Sequence, residues 1–430
     1  MSGHMSLKIM RAVAVVSAVG ALLSAPALGS EVSKEEIRKA AALDRGPYLT
    51  LLQSLVEIES GSRDLPGLVK IAAVVRDELT KLGGTVSVLP GRPIYPLSDS
   101  PAAVGDMVKA EFSGKGTRKI MFIAHMDTVY LRGMLARQPF KVDGDSAYGL
   151  AIADDKQGVA LIIRAIAMMK KLGIDDYGTL TVLINGDEEI SSPGSRETIS
   201  KVASEQDAVF SFEGGGSKGD LRLATSGIGA VHLTVEGKSS HAGARPEAGI
   251  NALTELVHQL SNLGDLSVPS QGLKVNWTLA QAGTNRNVIP ANASAQADVR
   301  ALHVADFDNL DKEIKARVQH KKLAQSHVDI KFEVRRPPLE ATDAARDIAK
   351  RAQQIYAEIG HNLPVTDKAT GGGTDAAFAA LHARGAVIEG FGLTGTGAHS
   401  SNDERIDLRT LEPRLYLIAR LIQELGAASH

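Results

Sequence analysis

No cysteine occurs anywhere in the 430 residues. Disulfides, thiolate zinc sites and cysteine nucleophiles are therefore excluded, and any metal must be held by His, Asp or Glu. Aromatic residues make up only 4% of the chain, with a single tryptophan, which argues against stacking platforms for bases. The formal net charge is −2, so neither nucleic acid nor an anionic membrane surface is an expected partner. Lys8 and Arg11 precede an apolar stretch from Ala12 to Leu23, followed by the small residues Ala25-Pro26-Ala27 or Ala27-Leu28-Gly29. This is the order of parts in a cleaved signal peptide, and the apolar run is short for a bilayer span. Residues 1–29 are therefore set apart, Met1-Ser2-Gly3-His4 as a cloning remnant and the rest as an export signal. A periplasmic or secreted protein with no membrane contact after cleavage is expected.

The length is too great for one core and suits two domains. Lys119 to Ala124 and Thr179 to Ile184 are nearly continuous apolar runs, as in strands buried on both faces, and Ala208 to Phe212 is a shorter third. Between the first two, Gly158 to Leu172 places Val159, Ile162, Ile163, Ile166 and Met169 on one helical face. Alternating strands and helices predict an α/β catalytic domain with a mostly parallel sheet flanked by helices. The pattern changes near Gly227. Val231, Leu233 and Val235 alternate strictly, a helix follows at Asn251 to Leu260, and strands at Val275 to Leu279 and Ala293 to Leu302 come next. A helix carrying Phe307, Leu310, Ile314 and Val318 and an alternating strand from Val328 to Val334 close the set. That β-α-β-β-α-β order predicts an inserted ferredoxin-like α+β domain over 227–337, between catalytic segments 30–226 and 338–430. Helices are also expected at Ala344 to Gly360 and Leu411 to Leu425.

Acidic and histidine residues cluster at the predicted strand ends. His125-Met126-Asp127 follows the first strand, and residues two apart on an extended chain share a face. A histidine beside a carboxylate suits a metal ligand with its orienting partner, or a plain surface loop. Ala153-Asp154-Asp155-Lys156 precedes a helix, where aspartates also serve as N-caps. Asp187-Glu188-Glu189 follows the second buried strand, where adjacent carboxylates need a cation or water between them. Glu213 in Phe212-Glu213-Gly214 and His399 in Gly397-Ala398-His399-Ser400 each read alone as loop residues. Together, these groups place carboxylates and histidines where open α/β sheets put their sites, and the set suits a pair of divalent ions sharing one carboxylate.

These motifs, with Ser239-Ser240-His241-Ala242-Gly243 and Thr370-Gly371-Gly372-Gly373-Thr374-Asp375, occur in an order that resembles the zinc exopeptidases. That family includes bacterial glutamate carboxypeptidases, aminoacylases and succinyl-diaminopimelate desuccinylase, and the resemblance spans roughly residues 45–425. It implies two Zn2+ per subunit. His125, Asp154 and Glu213 would hold one, and Asp154, Glu189 and His399 the other, with Asp154 bridging. It further implies that Asp127 steadies His125, that Glu188 is the general base, and that the Asp154–Asp155 peptide bond is cis. His241 would donate to the oxyanion from the partner subunit, so a homodimer is expected. All of these residues are present, which leaves little room for a non-catalytic binding module.

Arginine forms bidentate pairs with carboxylates, so Arg336, Asn287 and Arg300 are candidates for holding a substrate α-carboxylate. Lys218, in the loop after Glu213, is a candidate for a glutamate side chain, and equally a solvated loop lysine. The expected substrate is an N-acyl amino acid or peptide, with glutamate released. A dipeptidase or N-acyl amino acid amidohydrolase on the same scaffold is the alternative, because the two share every catalytic residue. Gly149-Leu150-Ala151, Ser191-Ser192-Pro193 and Gly214-Gly215-Gly216 depart from the family's usual residues and bear on pocket shape without removing a ligand.

Overall fold

The computed structural model describes residues 1–4, 32–369, 371–400 and 402–427. The export-signal expectation from Met5 onward and the Thr370 position lie outside the described residues. Six strands form the main sheet in the order Thr85–Leu89, Met107–Ser113, Thr179–Asn185, Lys119–His125, Ala208–Ser211 and Ala386–Ile388. The last four pair in parallel, and Met107–Ser113 runs against both of its neighbours. Ile120, Phe122, Leu180, Val182 and Phe210 are buried, because helices cover both faces of the central strands. Helices Arg45–Val56, Leu65–Lys81, Gln157–Leu172, Asp343–Glu358 and Leu411–Ala427 share the largest core with one sheet face. Arg196–Ala203 and Ala376–Ala380 pack on the other face.

A second, wholly antiparallel sheet runs Lys274–Ala282, Asn292–Ala301, Gly227–Glu236, His327–Arg336. Numbered along the chain, that order is 2-3-1-4, with helices Ala252–Asn262 and Val304–Arg317 as the two crossovers, which is the ferredoxin-like arrangement. The inward face of its strands carries Val231, Leu233, Val235, Ala295, Ala297 and Val299 against Leu256, Phe307, Leu310 and Ile314. Alternation with a polar outer face gives this domain its own small core. Entry and exit lie side by side, since Thr225 bridges Leu339. The last strand then docks on the catalytic domain. The Ser98 amide donates to Glu333 Oε2 at 2.7 Å, Arg335 pairs with Asp99 at 2.9 Å, and Arg196 Nη2 donates to the Arg335 carbonyl at 2.8 Å. This docking carries Arg336 from the inserted domain, the lid, into the catalytic domain.

Candidate metal centre and active site

Three parallel strands finish at one edge of the sheet, so the residues that follow them gather there. His125 ends Lys119–His125, with Asp127 two residues on. Glu188 and Glu189 follow Thr179–Asn185, and Glu213 follows Ala208–Ser211. Asp154 comes from the irregular turn ahead of helix Gln157–Leu172, and His399 from a loop where its own φ of 62° is left-handed. The N-cap reading of Asp154 and Asp155 does not hold, because that helix starts without a side-chain cap. The Asp154–Asp155 peptide bond is cis.

Asp154 sits between the two histidines. Its Oδ1 is 3.0 Å from His125 Nε2 and its Oδ2 is 3.2 Å from His399 Nε2. Glu213 lies 3.4 Å from His125 Nε2 on one side, and Glu189 lies 3.3 Å from His399 Nε2 on the other. One oxygen towards each half-site is the geometry a bridging carboxylate needs. Ligand atoms of His125, Glu188 and Glu213 fall within 4.8 Å of one another, as do those of Asp154, Glu189 and His399. The structure therefore brings Glu188 as close to the first half-site as a ligand would be.

The electrostatics suit divalent cations. Burial pushes Glu213 up to about 7 and also raises Glu188 and Glu189. Burial opposes charge on His125, but Glu213, Asp127 and Asp154 outweigh it and hold its pKa well above the ordinary value. Hydrogen bonds to Asp154 and Glu189 push His399 up to about 11. Such a cluster binds protons where a cation is missing, because buried carboxylates cannot all carry charge without positive charge among them. Glu189 Oε1 is buried with no hydrogen-bond partner, while its Oε2 faces His399. Oxygen and imidazole donors in this number fit a pair of zinc-like ions.

Asp127 is fully buried behind His125. Its carbonyl is 3.1 Å from His125 Nδ1, and its carboxylate accepts from Ser62 Oγ at 2.7 Å and from the Glu188 and Glu189 amides at 2.9 and 3.1 Å. It thus orients the imidazole and the two glutamates together. A cleft of about 560 Å³, lined by Ser62, Thr128, Tyr130, Arg132 and Glu189, opens beside this arrangement.

The family model for peptidase family M20/M25/M40 matches residues 121–424. Carboxypeptidase G2 of Pseudomonas sp. (strain RS-16) is 42% identical over 400 residues, covering 92% of this chain and 93% of that protein. Among solved structures, aminopeptidase PepT from Bacillus cereus superposes with a TM-score of 0.69 at 20% identity, covering 92% of this chain and 99% of that one. The YXEP protein of Bacillus subtilis, a dinuclear metal binding peptidase of the M20 family, gives 0.64 at 19%, covering 90% and 99%. The chain belongs to peptidase family M20/M25/M40. It is an enzyme of the metallopeptidase kind, similar to carboxypeptidase G2.

In this M20 enzyme the substrate-site candidates fall into four groups. Arg336 is 3% exposed and reaches the site; Nη1 contacts Glu188 Oε1, Nη2 donates to the Glu188 carbonyl at 2.7 Å, and Asp375 lies 3.5 Å away. Arg300 is spent on Asp298, at 2.9 Å through two nitrogens, and on the Gly371 carbonyl at 3.0 Å. His241 and Asn287 are exposed on the lid and adjoin one another, the Asn287 carbonyl accepting from the Ala242 amide at 2.9 Å. Lys218 is exposed in the Gly216–Lys218 turn, five residues beyond Glu213.

Sequence reasoning did not single out Ser62 or Glu404. Ser62 sits in a Gly-Ser-Arg loop that looks like any turn, and Glu404 lies in a short polar stretch with no sign of burial. Its separation of five residues from His399 was the one available clue. Asp375, which the sequence offers only as the end of the Thr370 to Asp375 motif, accepts from Asn185 and Ser192 and faces Arg336.

Proposed function

We propose that this M20 enzyme is a di-zinc carboxypeptidase. It would hydrolyse the amide bond between an acyl or peptidyl group and a C-terminal amino acid, with glutamate preferred. The observation that carries this reading is Asp154, with one oxygen on each of two histidine-carboxylate half-sites. Bound there, two zinc ions supply an activated water and positive charge for the carbonyl oxygen. His125, Asp154 and Glu213 would hold one ion, and Asp154, Glu189 and His399 the other.

The remaining roles belong to the chain's own side chains. Glu188 takes the proton from the attacking water and passes it to the leaving nitrogen. Its buried carboxyl, raised by burial, supports a proton-shuttling role. Asp127 fixes the backbone on which Glu188 and Glu189 sit. His241 accepts the Gly243 and Ala244 amides on Nδ1 at 3.1 and 3.0 Å, so a neutral ring carries its proton on Nε2. That leaves Nε2 as an outward donor suited to an oxyanion in the partner subunit of a homodimer. Arg336 exchanges Glu188 for the α-carboxylate, assisted by Asn287. Arg300 acts through the Gly371 loop, and Lys218 meets the glutamate side chain. Carboxypeptidase G2, at 42% identity, supports the carboxypeptidase step. The Lys8, Arg11 and Ala12 to Leu23 pattern supports export to the periplasm, which the mass of the mature N-terminus checks.

A substrate panel tests the specificity. An N-acyl-glutamate should be cleaved at least about tenfold better than the matching N-acyl-leucine by kcat/KM. Arg336→Ala should harm both, because both carry the α-carboxylate, whereas Lys218→Ala should harm only the glutamate substrate. A wild type that prefers an apolar residue replaces this reading with an N-acyl amino acid amidohydrolase.

A further inference from the structure

One buried carboxylate outside the chemistry above joins the segments that deliver the ligands. Glu404 is 0% exposed, just ahead of the Arg405–Asp407 strand. Its Oε1 accepts from the Ala153 amide at 2.8 Å and the Asp154 amide at 3.1 Å. Its Oε2 accepts from the Ala151 amide at 3.2 Å and from the Tyr130 hydroxyl. Its backbone carbonyl accepts from Gln138 Nε2 at 3.0 Å and the Gly149 amide at 3.3 Å, which fixes the residue from the other end.

Three ligand-bearing segments therefore meet at one side chain. The amides of 151–154 belong to the turn that presents Asp154. Tyr130 lies three residues beyond Asp127, in the stretch that begins at His125, and its hydroxyl oxygen is also 3.1 Å from the Ser400 carbonyl, next to His399. His399 needs such support. Its side chain is 55% exposed, and its left-handed φ is uncommon for a residue with a Cβ. A fold staple alone would be satisfied by any buried acceptor. Here both oxygens are committed to the backbone that carries the bridging ligand and to the Tyr130 hydroxyl, which itself lies against the loop of the exposed histidine.

Resting on the two-metal reading, we infer that Glu404 and Tyr130 are positioning residues that preset Asp154 and His399 for the ion these two share with Glu189. Groups that orient metal ligands typically change metal affinity about 10–100-fold when altered. Glu404→Gln keeps the shape but puts an amide NH₂ against backbone donors, and Tyr130→Phe removes only the phenol contact.

The test is zinc titration of chelator-stripped full-length protein by calorimetry, with thermal melts checking that each metal-free variant is folded. The binding step lost in His399→Ala identifies the ion concerned. Glu404→Gln should weaken that step about 10–100-fold, and Tyr130→Phe should weaken it less. The double variant should weaken it by less than the two single effects combined, because the Tyr130–Glu404 contact is shared between them. Excess zinc should restore kcat in Tyr130→Phe, with KM unchanged. If Glu404→Gln does not fold, Tyr130→Phe decides alone. Wild-type protein that takes up no zinc overturns the two-metal reading and this inference with it. Wild-type protein that binds two ions, with folded variants binding them equally tightly, overturns this inference only.

Discussion

Glu188 and Asp154 lie in one charged cluster, and their other contacts tell them apart. Asp154 offers an oxygen to each histidine, whereas Glu188 is drawn to Arg336 through both its carboxylate and its carbonyl. A ligand lost to mutation takes its ion with it; a base lost to mutation leaves the ions in place. Glu188→Gln is therefore expected to keep the wild-type metal content while turnover falls by several orders of magnitude. Metal analysis beside a rate assay checks this, and a variant that loses an ion would make Glu188 a ligand. At this scale the clustering of the histidines and carboxylates was legible, because they fall together just after buried strands. The Arg336–Glu188 contact was not legible. It joins residues 148 apart, and nothing local in either stretch foretells it.

The elements that hold these residues were legible where their patterns were strong. Lys119–His125, Thr179–Asn185 and Gln157–Leu172 match the predicted runs to within a residue or so, because full burial demands unbroken apolar sequence or a clear helical face. The helix Leu65–Lys81 and the strands Thr85–Leu89 and Met107–Ser113 were not foreseen. Thr85–Leu89 is a half-exposed edge strand, and the irregular segment after it carries Pro90, Pro93, Pro96 and Pro101, which blur any period. Beneath the site, Phe122 and Phe212 pack as tilted rings 4.9 Å apart between centroids, and Phe210 and Phe391 at 4.5 Å. Phe212 immediately precedes Glu213, so this cluster seats a candidate ligand as well as the sheet. Phe391→Ala should cost about 3–5 kcal/mol, measured by urea denaturation. A loss below about 1 kcal/mol would show that the cluster relaxes into the space.

The whole molecule is a catalytic domain that builds the ligand cluster and a lid that adds Arg336 while holding His241 outward. On the lid, helix Ala252–Asn262 exposes Leu253 and Val257, at 44% and 60%, and the Lys274–Ala282 strand forms the edge of the sheet opposite the strand that docks. An apolar helix face and an open strand edge suit two-fold pairing. If His241 serves the partner's site, mixing inactive His241→Ala with inactive Glu188→Gln subunits should restore part of the activity through hybrid dimers. No recovery despite demonstrated subunit exchange would make each site self-sufficient. The two-ion centre on which the proposed chemistry rests is tested most directly by counting zinc in active enzyme. About two ions per chain are expected, with Asp154→Ala losing both and all activity. Full activity with one ion or none, or an Asp154→Ala variant that keeps both, would contradict it.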